Sequence, residues 1–312
     1  MSYVIGIDLG GTKIELGLIA PDNGVLARKR IPANTFDGVE VVIARMCEQI
    51  EILKTHLPDG EKLAAIGICA PGPLDNVTGM LKDPPNIGLQ YVPLGPMLSK
   101  STGLPVALEH DAKAAALGEY HYGAGRGQKN MVYIVAGTGV GGAMIENGQL
   151  IRGVQNAAGE IGHITLDKNG MVCNCGSRGC AQTYIAGPYL VKRFNKKLAG
   201  EHISLPPISS VDLTGEDIAK FAHQGDATAQ EVMREAGEAL GLMIAILAVS
   251  LDSELFVLGG SVAKAGNLIL EPAREIAPKY ALSSIAPRIK LALSSLGDDA
   301  PLLGCAYLAR QQ

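Results

Sequence analysis

Three short apolar runs open the chain, at 3–7, 14–20 and 25–31, separated by the polar, glycine-bearing segments DLGGT and PDNG. Runs of this length bounded by turn residues predict strands, and the tight turns between them predict an antiparallel meander. Residues 38–56 change period: Val41, Ile43, Met46, Ile50 and Leu53 recur at helical spacing, which predicts an amphipathic helix. A buried strand over 63–70, a strand over 106–109 and a helix over 112–120 follow.

The pattern restarts at 131. A strand over 131–136 leads into GTGVGG, an apolar stretch at 143–145, the turn ENGQ, and then Leu150 and Ile151. Superposing the two stretches sets DLGGT over AGTGV and Asn23-Gly24 over Asn147-Gly148. This repeat predicts a duplicated meander-plus-helix domain with a cleft between the copies. The polar, glycine-rich run at 123–127 is the expected boundary. Further helices are predicted over 187–197, 214–223, 227–250, 261–280 and 301–310, with strands over 254–258 and 289–293. The longest apolar run, 240–251, is too short to span a bilayer and predicts a buried helix. The loop at 202–213 is polar and contains Pro206 and Pro207.

The 312 residues suit two domains, and 47% hydrophobic with 19% charged residues marks a globular chain. A net charge of −4 gives no basic face for nucleic acid. The start, MSYVIGIDLGG, lacks the basic segment and cleavage site of a signal peptide, so the expected location is cytoplasmic, with no membrane partner.

Chemistry concentrates in two places. His163, Cys173, Cys175 and Cys180 form H-x9-C-x-C-x4-C, one imidazole and three thiols on a short loop in which Gly170, Gly176 and Gly179 permit tight turns. Zn2+ takes four such ligands tetrahedrally. The alternative, buried thiols or disulfides, lacks support because nothing in the sequence suggests secretion. A closed site leaves no open position for substrate, so the expected zinc is structural. It stiffens the stretch from Glu160 to His163 that leads into it.

The second place is a pair of glycine turns at equivalent positions of the repeat, Gly10-Gly11-Thr12 and Gly137-Thr138-Gly139. Backbone N–H groups unobstructed by side chains approach an anion closely, and each turn adds a threonine hydroxyl. Together they are expected to grip a polyphosphate, with Lys13 adding charge and Asp8 holding Mg2+ through water. Gly137, Gly139 and Gly142 also satisfy G-x-G-x-x-G. A dinucleotide site needs a helix after that motif, and here a β-run and an Asn-Gly turn follow.

Read in order, Asp8-Leu9-Gly10-Gly11-Thr12, EHDAKAAALGE, GEIGH and CNCGSRGC resemble the ROK family, the bacterial group of repressors, open reading frames and sugar kinases. The resemblance spans the chain from IGIDLGGTK to LGDDAPLLGCAYLA. It implies an α/β, two-domain actin-like (RNase H-like) ATPase fold with a cleft between the domains. The smaller domain would take 1–122 and the closing helix at 301–312, and the larger 123–300 with the zinc loop. It implies transfer of the ATP γ-phosphate to a sugar hydroxyl. Asp111 matches the family's catalytic aspartate, the base that accepts the proton of the 6-hydroxyl. Phosphoryl transfer does need one carboxylate to orient the nucleophile, and a helix start keeps it ionised; without the resemblance Asp111 also reads as a plain helix cap.

By the same resemblance Glu160 accepts hydrogen bonds from sugar hydroxyls and His163 faces both metal and sugar. Asn86 in DPPNIG and Gly72 in APGPLD line the sugar pocket, Gly259 and Gly260 in VLGGS turn beside adenine, and the chain forms a homodimer or tetramer. Two positions depart from the family pattern. His110 stands where asparagine is usual before the aspartate, and Gln182 where glutamate is usual after the last cysteine. Both positions ordinarily contact sugar, so the departures bear on sugar identity. The expected activity is a glucokinase-like hexose kinase. N-acetylmannosamine or N-acetylglucosamine kinase, fructokinase and a glucoside kinase remain open, as does the phosphoryl donor. A repressor is not expected because DLGGT starts at Asp8, leaving no room for a helix-turn-helix domain. A silent sugar sensor is disfavoured by Asp111, Glu160 and the Gly10–Thr12 turn together.

Overall fold

A computed structural model describes residues 2–84, 87–199 and 213–312. Asn86 and almost all of the 202–213 loop lie outside the described residues. In chain order the elements are β1 (Tyr3–Leu9), β2 (Lys13–Ile19), β3 (Val25–Pro32), α1 (Val39–Lys54), β4 (Leu63–Ala70), β5 (Leu74–Asp75), β6 (Met80–Leu81), α2 (Leu94–Thr102), β7 (Val106–His110) and α3 (Asp111–Tyr122). Then come β8 (Met131–Ala136), β9 (Val140–Glu146), β10 (Gln149–Leu150), α4 (Gln182–Ile185), α5 (Gly187–Ala199), α6 (Gly215–His223), α7 (Ala227–Leu251), β11 (Leu255–Gly259), α8 (Asn267–Tyr280), β12 (Lys290–Leu293) and α9 (Ala300–Ala309). The architecture is mixed α/β.

Two five-stranded sheets carry the fold, ordered β3-β2-β1-β4-β7 and β10-β9-β8-β11-β12. The order is the same once the second set is renumbered, so the repeat in the hydrophobic pattern is a repeat in topology. In the first sheet β1, β2 and β3 are antiparallel while β4 and β7 run parallel to β1. In the second, β11 runs parallel to both β8 and β12. The central strands are buried on both faces, which is why β1 and β4 read as continuous apolar runs. β3, at the edge, alternates half-buried and exposed.

The chain divides into two compact units, one of residues 1–128, 143–158 and 294–312, the other of 129–142 and 159–293. Residues 143–158, which the sequence reading placed in the larger domain, group with the first unit. Arg152 and Asn156 there bond to the side chain of Glu109. In the first unit, Val42, Ile43, Met46, Ile50 and Leu53 of α1 cover Ile5, Ile7, Ile66 and Ile68. Of the positions read from the helical period, Ile43, Met46, Ile50 and Leu53 are buried; only at the first turn does the reading miss, where Val42 is fully buried and Val41 is 42% exposed.

α9 packs against β1, β4 and α3. The approach to α3 depends on Gly304, where a Cβ would stand 1.7 Å from the carbonyl oxygen of Ala114. Backbone cannot yield to a methyl group there. Gly304→Ala is expected to cost about 3 kcal/mol of stability, read as a lower urea midpoint at unchanged slope.

In the second unit, α7 buries most of its length, as expected for the longest apolar run. The helix predicted over 261–280 is two elements, a 3₁₀ turn at Ser261–Ala265 and then α8, because Gly266 at φ 59° breaks the path. Among the described residues no helix is long and apolar enough to cross a membrane.

Candidate functional site

β1, β4 and β7 run parallel in the first sheet, so their C-terminal ends lie side by side, where open α/β sheets collect function. Asp8 lies near the end of β1, and the exposed Gly11-Thr12-Lys13 turn follows. Asp8 pairs in register with Cys69 of β4, whose thiol donates to its carboxylate over 3.5 Å. Burial, reinforced by the charge of Asp111, raises Asp8 from 3.8 to about 6, against the thiol bond and Lys13.

Asp111 is the first residue of α3 and His110 is its N-cap. The Ala112 amide donates to the Asp111 carboxylate at 2.6 Å and to His110 Nδ1 at 3.3 Å. His110 Nδ1 lies 2.9 Å from Asp111 Oδ1. Asp111 is therefore not itself the cap; it projects from the first turn, where the helix dipole favours a negative charge. Gly72, just past β4, leaves room for the imidazole: a Cβ there would lie 2.8 Å from His110 Cδ2. The structure thus gathers Asp8, Gly72, His110 and Asp111 at one end of one sheet.

The raised Asp8 has a consequence for stability. A carboxyl group whose folded-state value lies above its unfolded value stabilises the fold below about pH 4, and that contribution is lost as pH rises through about 6. Asp8→Asn removes the charge. It is expected to be more stable than the parent by roughly 1–3 kcal/mol at pH 7.5 without divalent cation, with the gap closing towards pH 4. Urea titrations at the two pH values measure it.

In the second unit Gly137, Thr138 and Gly139 form the turn between β8 and β9. Gly137 donates its amide to the Gly139 carbonyl, and its own carbonyl accepts from the Gly187 amide, both at 2.9 Å. Because β9 follows the turn, G-x-G-x-x-G stands in a hairpin. Gly137, Thr138, Gly187, Lys192, Thr214 and Ser261 line a cavity of about 650 Å³. Beside it, a smaller cavity of about 160 Å³ is lined by Gly215, Lys220, His223, Ser261 and Lys264 among others. Gly259 ends β11, and Gly260 leads into the 3₁₀ turn that carries Ser261. The sequence reading found Gly137–Gly139 and Gly259-Gly260 but missed Gly187, Thr214, Gly215 and Ser261. Only the capping box of Thr214 and Asp217 left a local trace of them.

The thiol loop closes as its spacing predicts. One ligand atom from each of His163, Cys173, Cys175 and Cys180 lies within 4.8 Å of all the others. Cys175 and Cys180 Sγ are 3.7 Å apart, as are Cys173 Sγ and His163 Nδ1. Tetrahedral bonds of about 2.3 Å to sulfur and 2.0–2.1 Å to nitrogen set ligand atoms roughly 3.6–3.8 Å apart, so the donor set fits Zn2+. Gly176 and Gly179 make the turns at φ 91° and 63°.

Gln182 is buried at the start of α4. Its amide donates to Cys173 Sγ at 3.1 Å and to Asn174 Oδ1 at 2.6 Å. A carboxylate could donate neither bond. The neutral amide at this position therefore has a structural partner that the sequence did not reveal. Glu160 is exposed, one residue before the 3₁₀ turn Ile161–His163.

Residues 4–312 match the ROK family. A glucokinase of Halalkalibacterium halodurans is 36% identical, covering 99% of this chain and 96% of that protein. A Thermotoga maritima glucokinase is 33% identical over 99% and 98%. Among solved structures, a ROK glucokinase of Streptomyces griseus in complex with glucose and AMPPNP superposes with a TM-score of 0.81, at 33% identity and full coverage of both chains. Likeness of sequence and of fold over the whole length leaves one assignment: this chain belongs to the ROK family.

Proposed function

We propose that this protein is an ATP-dependent hexose kinase that transfers the γ-phosphate of ATP to the 6-hydroxyl of glucose or a close relative of it. The observation that carries the reading is the placement of Asp111, a part-exposed carboxylate on the first turn of α3 beside a second carboxylate, Asp8. In the first unit Asp111 accepts the proton of the sugar hydroxyl as that oxygen attacks phosphorus, and its amide partner Ala112 fixes the carboxylate's direction. His110 and Gly72 shape the space next to it. Asn86 is assigned to the sugar from the family motif alone.

In the second unit Glu160 and His163 take sugar hydroxyls, and Gln182 buttresses the loop that carries them. The Gly10–Thr12 turn with Lys13, and the Gly137–Gly139 turn, hold the nucleotide's phosphates through backbone N–H groups and threonine hydroxyls. Gly259 and Gly260 with the cavity around Gly215 and Ser261 suit the adenine end. Asp8 is the candidate partner for Mg2+, which when bound offsets the phosphate charge. His163, Cys173, Cys175 and Cys180 are the candidate ligands of a structural Zn2+. The actin-like, RNase H-like class is supported by the strand order shared by both sheets. Cytoplasmic location and a homodimer complete the reading by family resemblance.

A coupled ADP-release assay with Mg-ATP tests it, across glucose, mannose, fructose, allose, N-acetylglucosamine, N-acetylmannosamine and a β-glucoside. The expected result is preference for glucose. Preference for another sugar makes His110 and Gln182 the first positions to exchange. Absence of turnover with all of them, in zinc-replete protein, overturns the kinase.

A further inference from the structure

Glu109 and Lys113 flank Asp111 two residues away on either side, and both side chains are buried, Glu109 at 0% and Lys113 at 2% exposure. Two buried charges so close to the proposed base need an account, because an ion withdrawn from water is costly unless its hydrogen bonds are replaced. Among the described residues, donors from three residues reach Glu109. Its Oε2 accepts from Arg152 Nε at 2.8 Å, and its Oε1 accepts from Asn156 Nδ2 and from the backbone amide of His110, each at 2.9 Å. Lys113 Nζ donates to the Asn156 carbonyl at 2.6 Å.

One residue thus holds both sides of the turn. Asn156 grips Glu109 with its side-chain amide and Lys113 with its backbone carbonyl, and Asp111 lies between the two gripped positions. Asn156 stands at φ 57°, a conformation asparagine accepts more readily than most residues and one that turns its amide and carbonyl to different partners. The loop it belongs to runs on directly to Glu160.

We propose that Glu109, Lys113 and Asn156 form a clamp of positioning residues that fixes the direction of the Asp111 carboxylate for phosphoryl transfer. The inference rests on the reading of Asp111 as the base. None of the three touches the reacting atoms; each acts through the strand-to-helix turn. A base displaced by a fraction of an ångström loses rate rather than affinity.

The test is a kinetic and stability comparison of Lys113→Met and Asn156→Gly, the glycine chosen because it tolerates the left-handed backbone. Each is expected to lower kcat about tenfold or more while leaving the KM for ATP within about twofold. In an Asp111→Ala background, where the carboxylate to be aimed is gone, the same changes are expected to lower the residual turnover by less than about twofold. Either variant, folded and with kcat near that of the parent, overturns the clamp. So does an equal fractional loss in the Asp111→Ala background, which marks a purely structural cluster. Should Lys113→Met fail to fold, Arg152→Gln at a part-exposed position carries the same comparison. Full turnover in Asp111→Ala alone overturns the base assignment, a result distinct from either.

Discussion

Asp111→Ala is expected to lower sugar-dependent ATP turnover by roughly 10³-fold while the protein stays folded and still binds nucleotide. The size follows from the role. Phosphoryl transfer asks the protein for position and charge, and the one covalent event left to a side chain is removal of the proton from the attacking hydroxyl. The second carboxylate, Asp8, has an oxygen engaged by the Cys69 thiol. Single-turnover kinetics with nucleotide and sugar titrations separate the outcomes. Loss of kcat at preserved nucleotide affinity supports the base, whereas unchanged turnover ends that assignment.

The next largest effect is expected at the thiol loop. Stripping metal with a chelator, or replacing Cys180 by serine, is expected to raise the sugar KM by about 10–100-fold before far-UV ellipticity falls. The reason is local. Cys180 and Cys173 are buried, Cys173 is bonded to Gln182 at the start of α4, and His163 ends the turn that begins next to Glu160. Loosening the ligands frees that turn first, while α5 to α8 retain their own packing. Elemental analysis should find zinc bound to the purified chain, and its release should track the rise in KM. Simultaneous loss of sugar affinity and secondary structure would assign the cluster to the global fold instead.

How much of this was legible in the sequence depended on whether a feature was local. β1 and β4 were read to within two residues because buried parallel strands print continuous apolar runs, and α7 because it is buried over most of its length. In α1 the apolar string around 39–43 left the phase open, and only packing against the sheet selected Val42 over Val41. The β5–β6 hairpin and α2 went unread. Strands of two residues have no period, and α2 carries a proline in its first turn within a glycine- and proline-rich stretch.

The site divides the same way. The thiol spacing and the two glycine turns are contiguous in sequence and were visible. The bond of Gln182 to Cys173 appears only when the thiol loop closes, and the burial of Glu109 and Lys113 and the contribution of Gly187, Gly215 and Ser261 to one cavity region arise only once distant segments meet. In the sequence pattern Glu109 ends a strand and Lys113 reads as part of a solvated helix face. The partners that bury these two are Arg152 and Asn156, more than a domain element away in the chain.

The composition of the first unit has a consequence for how the protein is made. Its core is built by strands from the start of the chain, yet α9 comes from the end, and Glu119 of α3 waits for Ser294, Ser295 and the amide of Leu296. During synthesis the first unit cannot close until 294–312 has left the ribosome. The residues of 159–293 emerge as one uninterrupted stretch before that. Nascent chains are therefore expected to carry a folded second unit ahead of a complete first one, with the faces that α9 will cover open to chaperones until 294–312 has emerged.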